Sequence, residues 1–205
     1  MDLIPDKNNW QQIYGYLVNA VAPRPIGFIS TVDAEGKPNL APFSFFNMVS
    51  ANPPVCMFSA SIEARGLRKK DSLLNAEATR EFGVNIVTEE IGEMMNQTSF
   101  PYEHGVSEFE KSGLTMIAAE AIRAPLVAEC PVTLECYVLD IKSFGEEGGA
   151  GHVVFGQIAR VHIKPEILGV DGKIDPSKLH LLGRMGGPHY VRTRDQFTMN
   201  RPKQG

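Results

Sequence analysis

The chain is short of cysteine, has no run of basic residues and contains no apolar stretch of membrane-spanning length, and each shortage removes a class of function. Cys56, Cys130 and Cys136 are the only three cysteines in 205 residues, an odd number at spacings that fit no zinc or redox motif. Cys56 and Cys136 fall within apolar strand patterns, so they read as small buried hydrophobes in a reducing compartment. The five histidines are scattered. Even on one strand face, His152 and His162 would lie roughly 33 Å apart at about 3.3 Å per residue, too far to share an ion. No metal site is expected. A formal charge of -4 without clustered Lys and Arg argues against a nucleic-acid groove. No membrane span is expected, and Met1-Asp2-Leu3-Ile4-Pro5-Asp6-Lys7 lacks the basic-then-apolar order of a signal peptide. A cytoplasmic protein is the expectation.

Familiar catalytic templates are missing too. The sequence has no G-x-S-x-G elbow, no phosphate-binding G-x-x-x-x-G-K-[ST] loop and no strand-G-x-G-x-x-G-helix unit. Gly148-Gly149-Ala150-Gly151 leads into a strand at His152, the wrong element for a dinucleotide turn. The acid pairs Glu89/Glu90 and Glu146/Glu147 read as solvated faces or turns.

What is present is mostly strand. Ile26 to Val32 and Leu40 to Phe46 flank a hairpin loop at Asp33-Ala34-Glu35-Gly36-Lys37. Asn52-Pro53-Pro54 turns the chain into a strand over 54–60. Phe82 to Val87 is another strand, and Thr88-Glu89-Glu90 opens a helix running through Met94 and Met95. Val132 to Val138 and much of Val153 to Ile163 alternate apolar and polar residues. The segment 100–131 reads as loop and short helix covering one end of a barrel. Successive strand pairs with a few interspersed helices predict an antiparallel barrel, mainly β with flanking helices. No Pro/Ser/Gly-rich linker divides the chain, so residues 1–205 form one expected domain.

Lys70-Asp71-Ser72 is the most informative local motif. It stands where the strand over 54–60 gives way to the helix-forming Leu73-Leu74-Asn75-Ala76-Glu77-Ala78, with an acid-capped start at Asp71. Unpaired N–H groups at a helix start, a lysine and a hydroxyl together suit a phosphate monoester. The same tripeptide also reads as an ordinary Asp cap beside a solvated lysine. Ser30-Thr31, Ser44 and Asn47 sit at strand ends and Ser50 in the turn before Pro53-Pro54, where they suit turn chemistry or the edge of a planar polar ring, with Phe46, Met48 and Val49 as apolar surface.

Taken in order, Arg24-Pro25-Ile26-Gly27-Phe28-Ile29-Ser30-Thr31, Asn39-Leu40-Ala41-Pro42-Phe43-Ser44-Phe45-Phe46-Asn47, Asn52-Pro53-Pro54, Lys70-Asp71-Ser72 with Asn75, and Phe82-Gly83-Val84-Asn85-Ile86-Val87 resemble the flavin reductase-like family of FMN-binding split barrels, flavoredoxin-type members included. The resemblance covers roughly residues 13 to 195. It implies a Greek-key split barrel, a homodimer and FMN near the subunit interface. By position it puts the isoalloxazine against Ser30, Thr31, Asn47, Met48, Val49 and Ser50, and the phosphate against Lys70, Asp71 through its backbone N–H, and Ser72, with Ser59 beside the ribityl or phosphate oxygens. Arg24 either approaches the flavin or makes a surface ion pair. Short, diffusible flavin reductases carry a Gly-Asp-His signature whose histidine is associated with nicotinamide; here Ala150-Gly151-His152 keeps only the histidine, which either places nicotinamide or caps and packs. The implied function is an NAD(P)H-dependent flavin reductase passing electrons to free flavin or another acceptor. The alternative is a flavoredoxin-like carrier holding FMN without a nicotinamide site. The tail over about 183–205 is expected to dock on the barrel as an ordered lid, with Tyr190 either near the cleft or packing the tail down.

Overall fold

The computed structural model of the protein describes residues 1–202 apart from Arg65 and His104. Helix α1 (Trp10–Ala20) precedes β1 (Arg24–Pro25), β2 (Gly27–Val32), β3 (Pro38–Phe43), β4 (Phe46–Ala51) and β5 (Pro54–Ser61). Helix α2 (Asp71–Thr79) crosses to β6 (Glu81–Ile86), followed by α3 (Gly92–Gln97), α4 (Glu108–Ser112), β7 (Met116–Ile117) and β8 (Leu126–Val127). The long hairpin β9 (Val132–Ser143) and β10 (Gly151–Ile163) comes next, then β11 (Leu182–Arg184) and β12 (Tyr190–Arg192).

Seven strands form one antiparallel sheet in the order β3-β2-β6-β9-β10-β5-β4. The sheet curls until its two margins meet at a corner, where the Ser59 N–H donates to the Phe45 carbonyl at 2.8 Å. The margins β3 and β4 are joined in sequence only by Ser44 and Phe45, yet they stand at opposite ends of the strand order. The architecture is a Greek-key split barrel.

Strand β2 is buried along its whole length because both of its faces are covered. Ile29 points into the barrel against Phe58, Phe82, Val84 and Leu134, while its neighbour Phe28 packs outward with Leu40, Ile91, Met95 and Phe109. That is the period-2 alternation of a strand lying between two apolar layers. Inside the barrel, Phe58 and Phe82 meet edge to face with centroids 5.1 Å apart. Gly156 leaves the room they need, since a Cβ there would stand 2.3 Å from the Phe82 ring.

Three sequence expectations change. The single strand expected from Leu40 to Phe46 is two strands, because the chain turns the corner at Ser44-Phe45 and changes margins. Asp71 is the first helical residue rather than the cap: Lys70 occupies the cap position, and Asp71 pairs with Arg68 at 2.9 Å. The helix expected from Thr88 begins as a 3-10 turn over Glu89–Ile91 before α3. The segment 100–131 contains α4 and the β7-β8 pair; its loop at Glu120–Ile122 is anchored by the buried Glu135 carboxylate, which accepts the N–H groups of all three residues.

The tail returns to the barrel. Strands β1, β11 and β12 form a small sheet, Gly183 facing Pro25 on one side and Val191 on the other. Arg192 and Arg194 both pair with Glu89. Residues 203–205 of the expected tail lie outside the described residues.

Candidate functional site

Two grooves meet above the corner where β3 ends. The first, about 230 Å³, runs between the end of β3 and the start of α2 and is lined by Asn39 and Ala41–Phe43, by Arg68, Lys70 and Ser72, and by Phe100 and Tyr102. The second, about 370 Å³, lies under the tail and is lined by Arg24, Ser44, Asn96, Arg184 and Tyr190 among others. Pro42 and Ser99 border both, so the grooves adjoin.

The first groove has the chemistry of an anion site held in reserve. Helix α2 is nine residues long and its start faces the groove, so its dipole and first-turn N–H groups favour negative charge there. Lys70 donates to Glu63 Oε1 at 2.8 Å and Arg68 to Asp71 Oδ1 at 2.9 Å. The Ser72 hydroxyl is buried and accepts a 2.8 Å bond from Asn39 Nδ2, which fixes it at the helix start. Glu108 also lines the groove; burial pushes its carboxyl above the ordinary range, opposed by the N–H groups of Glu108 and Leu40.

A phosphate entering here competes with Glu63 for Lys70. Both side chains of that pair are substantially exposed, and such pairs are worth about 0–1 kcal/mol. A charge-assisted bond from lysine to phosphate contributes about 1.5–3 kcal/mol, and the helix start adds about 0.3–1 kcal/mol. The exchange of Glu63 for a phosphate at Lys70 is therefore favourable. Phe100 and Tyr102, with ring centroids 4.9 Å apart, give the groove an aromatic wall.

The second groove is organised by Arg24. Its guanidinium is buried and donates to the carbonyls of Val18, Val21 and Met185 and to Ser44 Oγ, so one side chain ties α1, the tail and the β3–β4 corner together. Burial lowers its pKa, Tyr14 opposes that and Arg184 adds to it. The surface ion pair that is one reading of Arg24 is not what the structure shows: the side chain is buried, its acceptors are neutral, and it borders the second groove. Tyr190 is partly exposed, stacks under Arg184 at 4.5 Å and donates a 3.4 Å bond to Asn96 Oδ1.

The structure thus gathers Lys70, Asp71 and Ser72 in one groove and Arg24 and Tyr190 in the other. It does not gather the remaining candidates with them. The Ser30 and Thr31 side chains are fully buried and engaged inside: Asn85 Nδ2 donates to Ser30 Oγ and Asn75 Nδ2 to Thr31 Oγ1. Asn47, Met48 and Val49 lie exposed on the open β4 margin, with Ser50 half-buried beyond a bulge. Ser59 pairs with Val153 inside the sheet. His152 is 4% exposed, Nε2 faces Ser143 Oγ at 3.2 Å, Nδ1 has no partner among the described residues, and the side chain lines neither groove.

Sequence reasoning missed Arg68, Phe100, Tyr102 and Arg184. The run Arg68-Lys69-Lys70 before a helix start was the available signal for the first. Arg184 had only its place in Gly183-Arg184-Met185-Gly186-Gly187. Among the described residues no group of three or more His, Cys, Asp or Glu side chains is placed to hold a metal ion, and no helix is long and apolar enough to cross a membrane.

Residues 20–173 match the family model described as the flavin reductase like domain. An uncharacterized protein of Aquifex aeolicus is 35% identical over 192 residues, which cover 94% of this chain and 95% of that protein. Component B of the nitrilotriacetate monooxygenase of Bacillus cereus superposes with a TM-score of 0.90 at 30% identity, over 97% of this chain and 98% of that one. The 2-nitrobenzoate 2-nitroreductase NbaA of Pseudomonas fluorescens gives 0.85 at 27% identity, over 98% and 96% of the two chains.

Proposed function

The chain belongs to the flavin reductase-like domain family, and from that premise we propose that it is an FMN-binding oxidoreductase that takes electrons from NAD(P)H and passes them to free flavin or another acceptor. The observation that carries the reading is the phosphate-suited end of the first groove, where Arg68, Lys70 and Ser72 meet the start of α2 and the second groove adjoins at Pro42 and Ser99. Bound there, the flavin would supply the redox chemistry. The protein's own residues bind and orient it: Lys70 and Arg68 neutralise the phosphate, Asn39 holds the Ser72 hydroxyl in place, and the stretch Ala41–Phe43 forms the floor. The three free, buried cysteines suit the reducing cytoplasm that this reading assigns to the protein.

A homodimer is part of the proposal. Met48 and Val49 are about half exposed on the unpaired β4 margin, beside Phe45 and Tyr14, and a second subunit would cover them. Asn47, Met48, Val49 and Ser50 then come near a flavin only in the assembled pair. Light scattering should give twice the chain mass for the FMN-loaded protein; a loaded monomer would rule the dimer out.

Lys70→Ala is expected to weaken FMN binding by about 1.5–3 kcal/mol while riboflavin binding changes much less. Fluorescence titration of both flavins measures it, and equal losses would remove Lys70 from the phosphate site. The burial of His152 away from both grooves favours a second reading, a flavoredoxin-like carrier without its own nicotinamide site. Aerobic oxidation of NADH and NADPH by the FMN-loaded protein separates the two, since a carrier shows almost no turnover without a separate reductase.

A further inference from the structure

The cavity under the tail carries positive charge that nothing in it neutralises. Two guanidinium groups line it, Arg24 and Arg184, and the described residues around it include no Asp or Glu. Arg24 spends its donors on three backbone carbonyls and one hydroxyl, all of them neutral acceptors. Arg184 makes no ion pair or hydrogen bond through its side chain among the described residues; its one recorded partner is the face of Tyr190, 4.5 Å from the guanidinium carbon. The two cations are close enough for Arg184 to depress the Arg24 pKa.

Several other arginines of the protein sit against an acid. Arg192 and Arg194 share Glu89, Arg123 pairs with Glu81, and Arg160 with Glu120. The contact with the Tyr190 ring leaves the N–H donors of Arg184 without an acceptor among the described residues, and a guanidinium fork is suited to bidentate capture of a carboxylate or phosphate. The walls match a flat apolar body as well, since two tyrosine rings and the side chains of Ile26 and Met95 border the space. Its volume, about 370 Å³, falls within the range of small-molecule sites.

We propose that Arg184 is a specificity-determining residue that binds the anionic group of a small, flat second substrate in the cavity under the tail. The assignment of that molecule as the electron donor or acceptor rests on the oxidoreductase reading; its binding to Arg184 does not. The anionic group is a carboxylate or a phosphate, and the two are distinguished by the probes. The tail is then part of the substrate site, which gives its return to the barrel a purpose beyond packing.

The test is calorimetric titration of the full chain, once flavin-free and once loaded with FMN, using benzoate, phenyl phosphate and the neutral benzamide. At least one of the two anions should bind about tenfold or more tightly than benzamide, and Arg184→Ala should cost that anion about tenfold or more, the size of a lost charge-assisted hydrogen bond, with benzamide unaffected. Arg184→Lys should recover part of the affinity, because charge is kept and the fork is lost. Tighter binding of benzoate or of phenyl phosphate names the anionic group. Benzamide binding as tightly as both anions would overturn the proposal. So would a folded Arg184→Ala protein with wild-type anion affinity and wild-type discrimination between anion and amide. Failure of FMN to bind would appear separately, in the loading step, and anion binding that Arg184→Ala removes while Lys70→Ala leaves it unchanged belongs to the cavity under the tail rather than to the first groove.

Discussion

Glu135→Ala should lower the free energy of unfolding by about 3–5 kcal/mol, a large part of the margin by which a domain of this size is stable. Glu135 is fully buried on β9 and its two oxygens accept the N–H groups of Glu120, Ala121 and Ile122 and face His162 Nε2 at 2.6 Å. Removing the carboxylate leaves those donors without a partner; the Ile122 N–H is buried and the other two are partly so, and an unsatisfied buried donor costs about 1–3 kcal/mol. Glu135→Gln is expected to be only partly better, because its amide turns a second donor toward N–H groups that need an acceptor. Burial alone would push the Glu135 pKa up; the N–H of Glu120, the contact with His162 and the N–H of Ala121 outweigh it and hold the folded value below the ordinary one. A depressed carboxylate stabilises fully above the unfolded pKa of about 4.3, and that stabilisation is lost as pH falls from there through the folded value. Denaturant titrations from pH 7 downward should therefore show wild type and Glu135→Ala converging below about pH 4. A constant gap across that range, or no gap at pH 7, would show that the carboxylate does not hold the 120–122 loop.

Arg24→Met is the second large effect, expected at about 3–5 kcal/mol. The substitution keeps much of the stem but leaves the carbonyls of Val18, Val21 and Met185 and the Ser44 hydroxyl without their donor. Its signature is regional. The Met185 contact spans 161 residues of sequence, so its loss should loosen β11 and β12 before the barrel itself. Hydrogen exchange should speed up at Gly183, Val191 and Arg192 while the amides of β2 and β9 stay protected. Uniform loss of protection across the sheet, or unchanged protection in the tail, would contradict Arg24 as the tie between them.

How far the sequence was legible depended on whether a residue's partners were local. The β2-β3 hairpin and the strand-to-helix step at Lys70 follow from patterns within ten residues of chain, and both are present. The corner at Ser44-Phe45 was hidden because the apolar run continues through it; only the distant β5, through Ser59, shows where the chain turns. Helix α1 gave little local signal, since Asn9 makes no side-chain cap bond and the first turn carries no acid. Ser30 and Thr31 illustrate the limit at the site. A strand hydroxyl serves a ligand or an internal partner equally well on paper, and Asn85 and Asn75, 55 and 44 residues away, decide the matter. Arg24 was singled out correctly as unusual, but three of its four acceptors are backbone or tail groups that no motif encodes.

The two-residue link between β3 and β4 also limits how the barrel can deform. From Phe43 to Phe46 the chain spans three residue steps, about 11 Å when fully extended, so the two free margins are tethered at that end whatever happens elsewhere along the split. At the other end nothing so short joins Pro38 to Ala51, and the margins are free to spread there. The split behaves like a purse clasped at one corner: breathing is graded along its length and smallest beside Pro42, which borders both grooves, and Ser44, which lines the second. A ligand seated at the clasp meets backbone that is already in position, and one seated toward Val32 meets walls that yield.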